Sequence, residues 1–313
     1  MQARAPAPVT VVIPAFNAAL TLDAALASVA SQSLPPSSVV VADDQSDDGS
    51  PEVAERWSAL LPLQIIQLER NAGPAAARRA AVDRADTELI ALLDADDIWF
   101  PDHLALLIQT QEQHGDIVSA DALRWYPGKG MHRVTHRARQ PIPPADQQQV
   151  KIVRENFVSI GALFPRSAYE AVGGFRDGFS GAEDWDLWIR MIRAGLRVHA
   201  APGPTFLYRV VSSGLTQTTD IFDVYVRVLE AAQRDASDEG ERAAVADGLG
   251  RMRARREVAI ARREAQSGHT RSARAAATRS LTGPRRVALE AGLLLASPSL
   301  GLRIGEAIRH WRR

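Results

Sequence analysis

Between residues 9 and 94, short runs dense in β-branched and aliphatic residues alternate with stretches of helical periodicity. This alternation restricts the chain to a mostly parallel sheet covered by helices. Val9-Thr10-Val11-Val12-Ile13 reads as a buried strand that Pro14 stops. Leu22, Leu26 and Val29 then recur at helical spacing, and Val39-Val40-Val41-Ala42 is a second strand running straight into Asp43-Asp44. Ser50-Pro51-Glu52 has the form of a helix N-cap with Pro at the first helical position, followed by Val53, Trp57, Leu60 and Leu61 on one face. Residues 63–68 form a third strand, Pro74 opens an alanine-rich helix to about residue 85, and residues 89–93 form a fourth strand ending at Asp94. The order β-α-β-α-β-α-β predicts a doubly wound α/β sheet with helices on both faces. Such sheets bind ligands at the carboxyl ends of their strands.

The later sequence is less regular. From Asp121 to Gln149 the pattern dissolves into Pro127, Gly128, Gly130, Pro141, Pro143, Pro144 and a run of glutamines, the signature of a functional lid or a disordered connection. A strand resumes at Ile160 to Phe164. Trp188, Met191 and Ile192 mark a helix ended by Gly195, and Thr205 to Val211 is strand-like. From Asp223 onward the chain reads as Ala- and Arg-rich helices, with 18 arginines against 11 acidic residues. The whole chain balances at 37 basic and 37 acidic residues, so an acidic part, residues 1–222, precedes a basic helical tail, residues 223–313.

Composition excludes several classes. Equal charge counts give no global field for nucleic acid, and no nucleic-acid partner is expected. The absence of cysteine removes disulfide scaffolds, thiolate zinc sites and Cys nucleophiles together. The apolar stretch from Val287 to Leu302 is interrupted by Glu290 and Pro298 and is too short for a membrane span. The start lacks a basic segment followed by an apolar core, so the expectation is a cytoplasmic protein without a signal peptide.

Three clusters carry chemistry. Asp94-Ala95-Asp96-Asp97 places three carboxylates directly after a buried strand, where unpaired they repel and raise one another's pKa. A hard cation, Mg²⁺ or Mn²⁺, relieves that repulsion. The alternative is an acidic turn with Asp97 capping the next helix. Asp43-Asp44-Gln45-Ser46-Asp47-Asp48-Gly49-Ser50 puts four more acids at a strand end. Turn chemistry explains Asp48, Gly49 and Ser50. It does not need Asp43 and Asp44, which suit a base N–H or a ribose hydroxyl. Glu183-Asp184-Trp185-Asp186-Leu187-Trp188 sets acids beside indoles, and indole faces stack on sugars while a carboxylate takes a hydroxyl proton. Macrodipole compensation is a sufficient account of Asp186, and core packing an even alternative for Trp188. Between these clusters, Asn71-Ala72-Gly73-Pro74 opens a helix whose Arg78 is placed to face a diphosphate, while Arg79 reads as solvated.

Taken in order, Val11-Val12-Ile13-Pro14-Ala15-Phe16-Asn17, Asp43-Asp44, Asn71-x-Gly73 with Arg78, Asp94-Ala95-Asp96-Asp97 and Glu183-Asp184-Trp185-Asp186 resemble the family 2 glycosyltransferases, inverting enzymes of the GT-A fold. The resemblance runs from about Pro8 to Thr216 and leaves out the helical tail. It implies that Pro14, Ala15 and Phe16 line the base and ribose pocket with Asp43 or Asp44 on the base. Arg78 would sit near the nucleotide, with Asp94 and Ala95 on the ribose side and Asp96 holding Mn²⁺ or Mg²⁺. Asp184 would be the general base, with Glu183 and Trp185 towards the acceptor. The donor would be a nucleotide sugar with UDP as its nucleotide, and the acceptor a saccharide or lipid-linked hydroxyl in cell-surface polysaccharide or glycolipid synthesis. The family's Tyr-Arg-x-His stands here as Tyr208-Arg209-Val210-Val211, without the His. Two other readings remain: a nucleotide-sugar-binding pseudoenzyme, which the missing His favours, and a sugar-phosphate nucleotidyltransferase, which lacks its Gly-rich basic loop here. Arg285, Arg286, Arg303, Arg309, Arg312 and Arg313 flank the apolar run near the end, so the tail is either an interfacial helix on an anionic membrane face or a cap docked on the catalytic domain or a second copy.

Overall fold

A computed structural model describes residues 5–131, 135–210, 221–281, 283–297 and 301–302. The chain divides into two compact units, Met1–Ile152 with Asn156–Ser212, and Val153–Glu155 with Ser213–Arg313.

The first unit contains β1 (Ala7–Ala15), α1 (Leu22–Ala30), β2 (Pro36–Asp43), α2 (Ser50–Glu55), β3 (Leu63–Gln67), α3 (Pro74–Val82), β4 (Leu89–Leu92), β5 (Ile98–Trp99), α4 (His103–His114) and β6 (Ile117–Tyr126). It continues with β7 (Gly130–Met131), α5 (His136–Arg139), α6 (Gln148–Ile152), β8 (Ala162–Pro165), α7 (Arg166–Ala171), α8 (Glu183–Arg193) and β9 (Val198–Arg209). The strands form one sheet in the order β3-β2-β1-β4-β8-β6-β9-β5, with β7 paired to β6. β3, β2, β1 and β4 are mutually parallel, β8 is antiparallel to both β4 and β6, and β6 runs parallel to β9. Chain order reverses at β1, from which β2 and β3 lie to one side and β4 to the other. The carboxyl ends at that point carry Ala15, Asp43 and the turn after Leu92.

The strands hold their place because both sheet faces are covered. Val9, Val11, Val12, Ile13, Val39, Val40, Ile90, Ala91 and Leu92 are fully buried, as a helix-sandwiched parallel sheet requires. Leu22, Leu26 and Val29 of α1 and Leu104 and Leu107 of α4 pack in one core with Val9, Val11, Ile13, Val39 and Ala91, which share one face of the sheet.

Three expectations are corrected. The region from Asp121 is not wholly irregular, because β6 runs on to Tyr126 and α6 precedes the boundary at Ile152. The polar Asp121 is tolerated inside that strand because its carboxylate accepts the Ala122 and Arg137 backbone N–H groups, beside a register shift against β9. The last strand starts at Val198 rather than Thr205 and ends at Arg209, so Val211 lies outside the described residues. The second helix is capped by Gly49, whose φ of 86° is a left-handed value that favours glycine, rather than by Ser50.

The second unit consists of α9 (Ile221–Arg234), α10 (Glu239–Gln266), α11 (Thr270–Arg279) and α12 (Arg285–Ala296). Asp238 caps α10 by accepting the Glu241 N–H at 2.8 Å, and Glu241 reaches back to the Ser237 N–H at 2.9 Å. Small residues let these helices approach: Ala261, Ala276, Ala277 and Ala291 are fully buried together, with Leu294 packed among them. Many of the arginines are absorbed by ion pairs within the unit, Arg251 with Asp247, Arg253 with Glu230, Arg256 with Asp223 and Arg279 with Glu257. Among the described residues, no helix is long and apolar enough to cross a membrane.

Candidate active site

The loops after β1 and β2 are tied into one rim. Asn17, at φ 48°, donates its backbone N–H to Ser46 Oγ and accepts the Asp47 N–H on its side chain. The Ala18 and Ala19 N–H groups go to Ser50 Oγ and Asp48 Oδ2. The four-acid turn is therefore mostly a brace. Phe16 stands 52% exposed above it, with Pro14 half-buried and Ala15 buried beneath.

Asp43 and Asp44 are both buried, with different partners. Asp44 spends both oxygens on the Ala72 and Gly73 N–H groups, each at 2.7 Å, and so fastens the end of β2 to the start of α3. Gly73 accommodates this with a φ of 86° at the helix N-cap. Asp43 accepts the Ser46 N–H on Oδ2, and its Oδ1 has no partner.

Arg78 does not face solvent or a diphosphate, as its place one turn into α3 suggested. It is buried, and its guanidinium joins Asp94 at 2.5 Å to Glu183. Burial opposes its charge, and the Asp94 and Glu183 carboxylates more than compensate, holding its pKa above the ordinary arginine value. Arg79 is half-buried rather than fully solvated, paired with Asp177 at 3.0 Å and donating to the Phe175 carbonyl at 3.2 Å.

Asp94, Asp96 and Asp97 converge after β4, each offering an oxygen within 4.8 Å of the others. Burial, and next the Asp94 charge, pushes Asp96 up to about 6. Burial and the same neighbours raise Asp97 well above the carboxylate range. Asp97 does not cap the following helix, where Asp102 takes the N-cap position. It instead accepts the Arg209 backbone N–H at 2.9 Å and leaves Oδ2 buried without a partner. A cluster of mutually repelling oxygens with an orphaned acceptor fits a hard divalent cation. Asp96, with Asp94 and Asp97 beside it, would hold one. Arg209 completes the surround: its Nε donates to the Asp96 carbonyl at 2.8 Å, and its guanidinium lies 4.2 Å from the centre of the Trp125 ring.

On the far side, α8 opens with Glu183-Asp184. Glu183 is buried between Arg78 and the Gly181 N–H at 2.7 Å. Asp184 accepts Asn156 Nδ2 at 3.2 Å and the Trp185 N–H at 2.7 Å. Burial, and next the Glu183 charge, pushes its pKa up to about 7, with Arg78 pulling the other way. A carboxylate poised there is suited to accept a proton near neutral pH.

The acceptor contacts expected of Glu183 and Trp185 are not available. Trp185 is 2% exposed and donates its indole N–H to the Ile152 carbonyl at 2.7 Å, and Glu183 is consumed by Arg78. Trp188 is likewise core, edge-on to Phe164. Asp186 does more than answer the macrodipole. It is buried between Arg176 and Arg190, and Arg190 also binds the Val172 and Gly174 carbonyls. Sequence reasoning assigned no role to Arg209, Asn156 or Trp125. The Tyr208-Arg209 pair was the one local signal for the first.

The sequence profile of Glycosyl transferase family 2 matches residues 10–173, and the chain belongs to that family. It is 27% identical over 214 residues to the uncharacterized glycosyltransferase YwdF of Bacillus subtilis, covering 68% of this chain and 78% of that one. It is 32% identical over 256 residues to the succinoglycan biosynthesis protein ExoU of Rhizobium meliloti, covering 76% and 74%. Among solved structures, S. aureus TarS 1–349 in complex with UDP-GlcNAc superposes with a TM-score of 0.64 at 19% identity, over 96% of this chain and 91% of that one. The chain spans 50% of the longer TarS chain. The mannosyltransferase PcManGT of Pyrobaculum calidifontis, in complex with GDP-Man and Mn²⁺, superposes with a TM-score of 0.65 at 21% identity, over 98% and 85%. The fold is the GT-A type.

Proposed function

We propose that this glycosyltransferase moves a sugar from a nucleoside diphosphate, UDP in the first instance, to a saccharide or lipid-linked hydroxyl, with inversion at the anomeric carbon. The observation that carries the reading is the Arg78 bridge. One buried guanidinium joins Asp94 of the acidic cluster to Glu183, the neighbour of Asp184, so the metal-suited and base-suited carboxylates are tied into one unit. The succinoglycan relative supports a polysaccharide product, and the UDP-GlcNAc and GDP-Man complexes of the structural neighbours support a nucleotide-sugar donor.

In this reading the base and ribose lie against Pro14, Ala15 and Phe16 and the Asp43-Asp44 turn. A divalent cation at Asp96, with Asp94 and Asp97 beside it, would neutralise charge growing on the departing diphosphate. Asp184 accepts the acceptor hydroxyl's proton as its oxygen bonds to the anomeric carbon. The bond to the diphosphate breaks on the opposite face, and the nucleoside diphosphate leaves with that electron pair. Proton acceptance of this kind contributes about 10²–10⁴-fold. Asn156 orients the carboxylate, and Arg78 and Glu183 fix the helix end that carries it. The arginines around the terminal apolar run support a further reading, that the tail rests on an anionic membrane face.

Thermal unfolding with UDP-glucose, UDP-N-acetylglucosamine and GDP-mannose, each with Mn²⁺ or chelator, tests the donor assignment. Stabilisation by a UDP-sugar that needs the metal is expected. Stabilisation by none of the three, or by the guanosine donor alone, would overturn it.

A further inference from the structure

We propose that Trp125, at the carboxyl end of β6, is the platform on which the acceptor saccharide stacks. This rests on the glycosyl-transfer reading and supplies the aromatic contact that the buried Trp185 does not. Among the described tryptophans, Trp99, Trp185 and Trp188 are buried, and Trp57 is tied by its indole N–H to Asp23 at 3.1 Å. Trp57 and Trp125 are the half-buried members of the described set, and of these two Trp125 is the one whose indole N–H meets no hydrogen-bond partner among the described residues.

Its position follows from the sheet. β6 and β9 are parallel, and Trp125 stands in register with Arg209. The Arg209 guanidinium lies 4.2 Å from the indole centre, while Arg209 Nε and backbone N–H hold the Asp96 carbonyl and Asp97 Oδ1. The indole is thus one side chain removed from the acidic cluster. In the strand order, β1 and β2 with the nucleotide-suited turn lie on one side of β4, and β6 with β9 on the other. A two-substrate transfer needs this disposition, with donor and acceptor reaching the same carboxylates from opposite flanks.

The chemistry suits a pyranose. The apolar C–H face of a sugar ring packs on an aromatic face, and the free indole N–H can donate to a ring hydroxyl. Arg209, stacked on the indole, fixes its plane before any ligand arrives, so little rotamer freedom remains to be lost on binding.

Saturation-transfer difference NMR tests the assignment, with methyl β-D-glucopyranoside and methyl β-D-galactopyranoside as probes and UDP with Mn²⁺ present. Wild type should transfer saturation to the ring protons of at least one glycoside. Trp125→Leu, which keeps apolar bulk without the π face, should lower that signal about fivefold, and Trp125→Phe should keep most of it. UDP affinity should stay within about twofold in both variants. Trp125→Met replaces the Leu variant if that one does not unfold cooperatively. Equal signals in wild type and Trp125→Leu, or no glycoside signal in wild type, would overturn the proposal. A loss of UDP affinity in step with the glycoside signal would place Trp125 on the donor side and also overturn it. Absence of UDP binding by the wild type would defeat the transfer reading and the platform with it.

Discussion

Replacing Asp184 by Asn should destroy transfer and stabilise the fold at the same time. The Asp184 pKa rises from 3.8 to about 7, chiefly through burial, so the folded protein favours its neutral form. The resulting cost to stability is absent below the unfolded value, grows as pH rises between the two values, and is complete above the folded one. Three pKa units correspond to a ceiling of about 4 kcal/mol. Asp184 keeps part of its surface in solvent, which lowers the expectation to about 1–2 kcal/mol. In a chain of this size that is a rise in Tm of about 2–4 °C. Asn has no charge to bury, so the gain over wild type should be full at pH 8 and shrink as the pH falls through 5 towards the unfolded value. Thermal unfolding of both proteins in chelator at the two pH values reads this directly. Nucleotide release with a donor and acceptor should fall about 10²–10⁴-fold in the variant, and wild-type kcat should fall tenfold per unit below about pH 7. A variant no more stable than wild type at pH 8 would show that Asp184 is not strained by its burial. Retained transfer would remove it as the base.

Asp186→Ala leaves Arg176 and Arg190 facing a buried vacancy and should cost about 3 kcal/mol in urea unfolding, the size expected when one partner of a buried ion cluster is lost. A loss below about 1 kcal/mol would make the cluster a surface-like pair. Asp44→Ala frees the Ala72 and Gly73 N–H groups, and should cost about 2 kcal/mol while weakening UDP binding through a loosened α3 start. Unchanged UDP affinity would confine Asp44 to the scaffold. Deleting residues 284–313 should release the protein from phosphatidylglycerol vesicles with the first unit still folded; vesicle binding that survives the deletion rejects the interfacial tail.

The sequence disclosed the site's acidic end through purely local signals. Val39 to Ala42 and Leu89 to Leu93 are dense enough in buried-strand residues to announce themselves, and the acids that follow them, Asp43-Asp44 and Asp94 to Asp97, are more than a turn needs. What stayed hidden was decided by distant partners. Arg78 looked diphosphate-facing one turn into α3, and its burial is settled by Glu183, 105 residues away. Trp185 sat beside two acids as if awaiting a sugar, but the Ile152 carbonyl claims its N–H from another element. β6 escaped notice because Asp121, inside it, is satisfied by the Arg137 backbone, and strand periodicity cannot register a polar residue paired that way. Arg209 was visible only as half of a familiar pair, and its contacts with Asp96 and Asp97 span more than a hundred residues of chain.

The measurement that tests the account most directly is calorimetric titration of UDP into wild type and Asp96→Ala, each with Mn²⁺ and then with chelator. The acidic cluster after β4 predicts that UDP binds wild type far more tightly with Mn²⁺ than with chelator, and that Asp96→Ala binds equally weakly in both. UDP affinity that is the same with Mn²⁺ and chelator in wild type, or a metal effect that survives in Asp96→Ala, would contradict a metal-assisted donor site at this cluster.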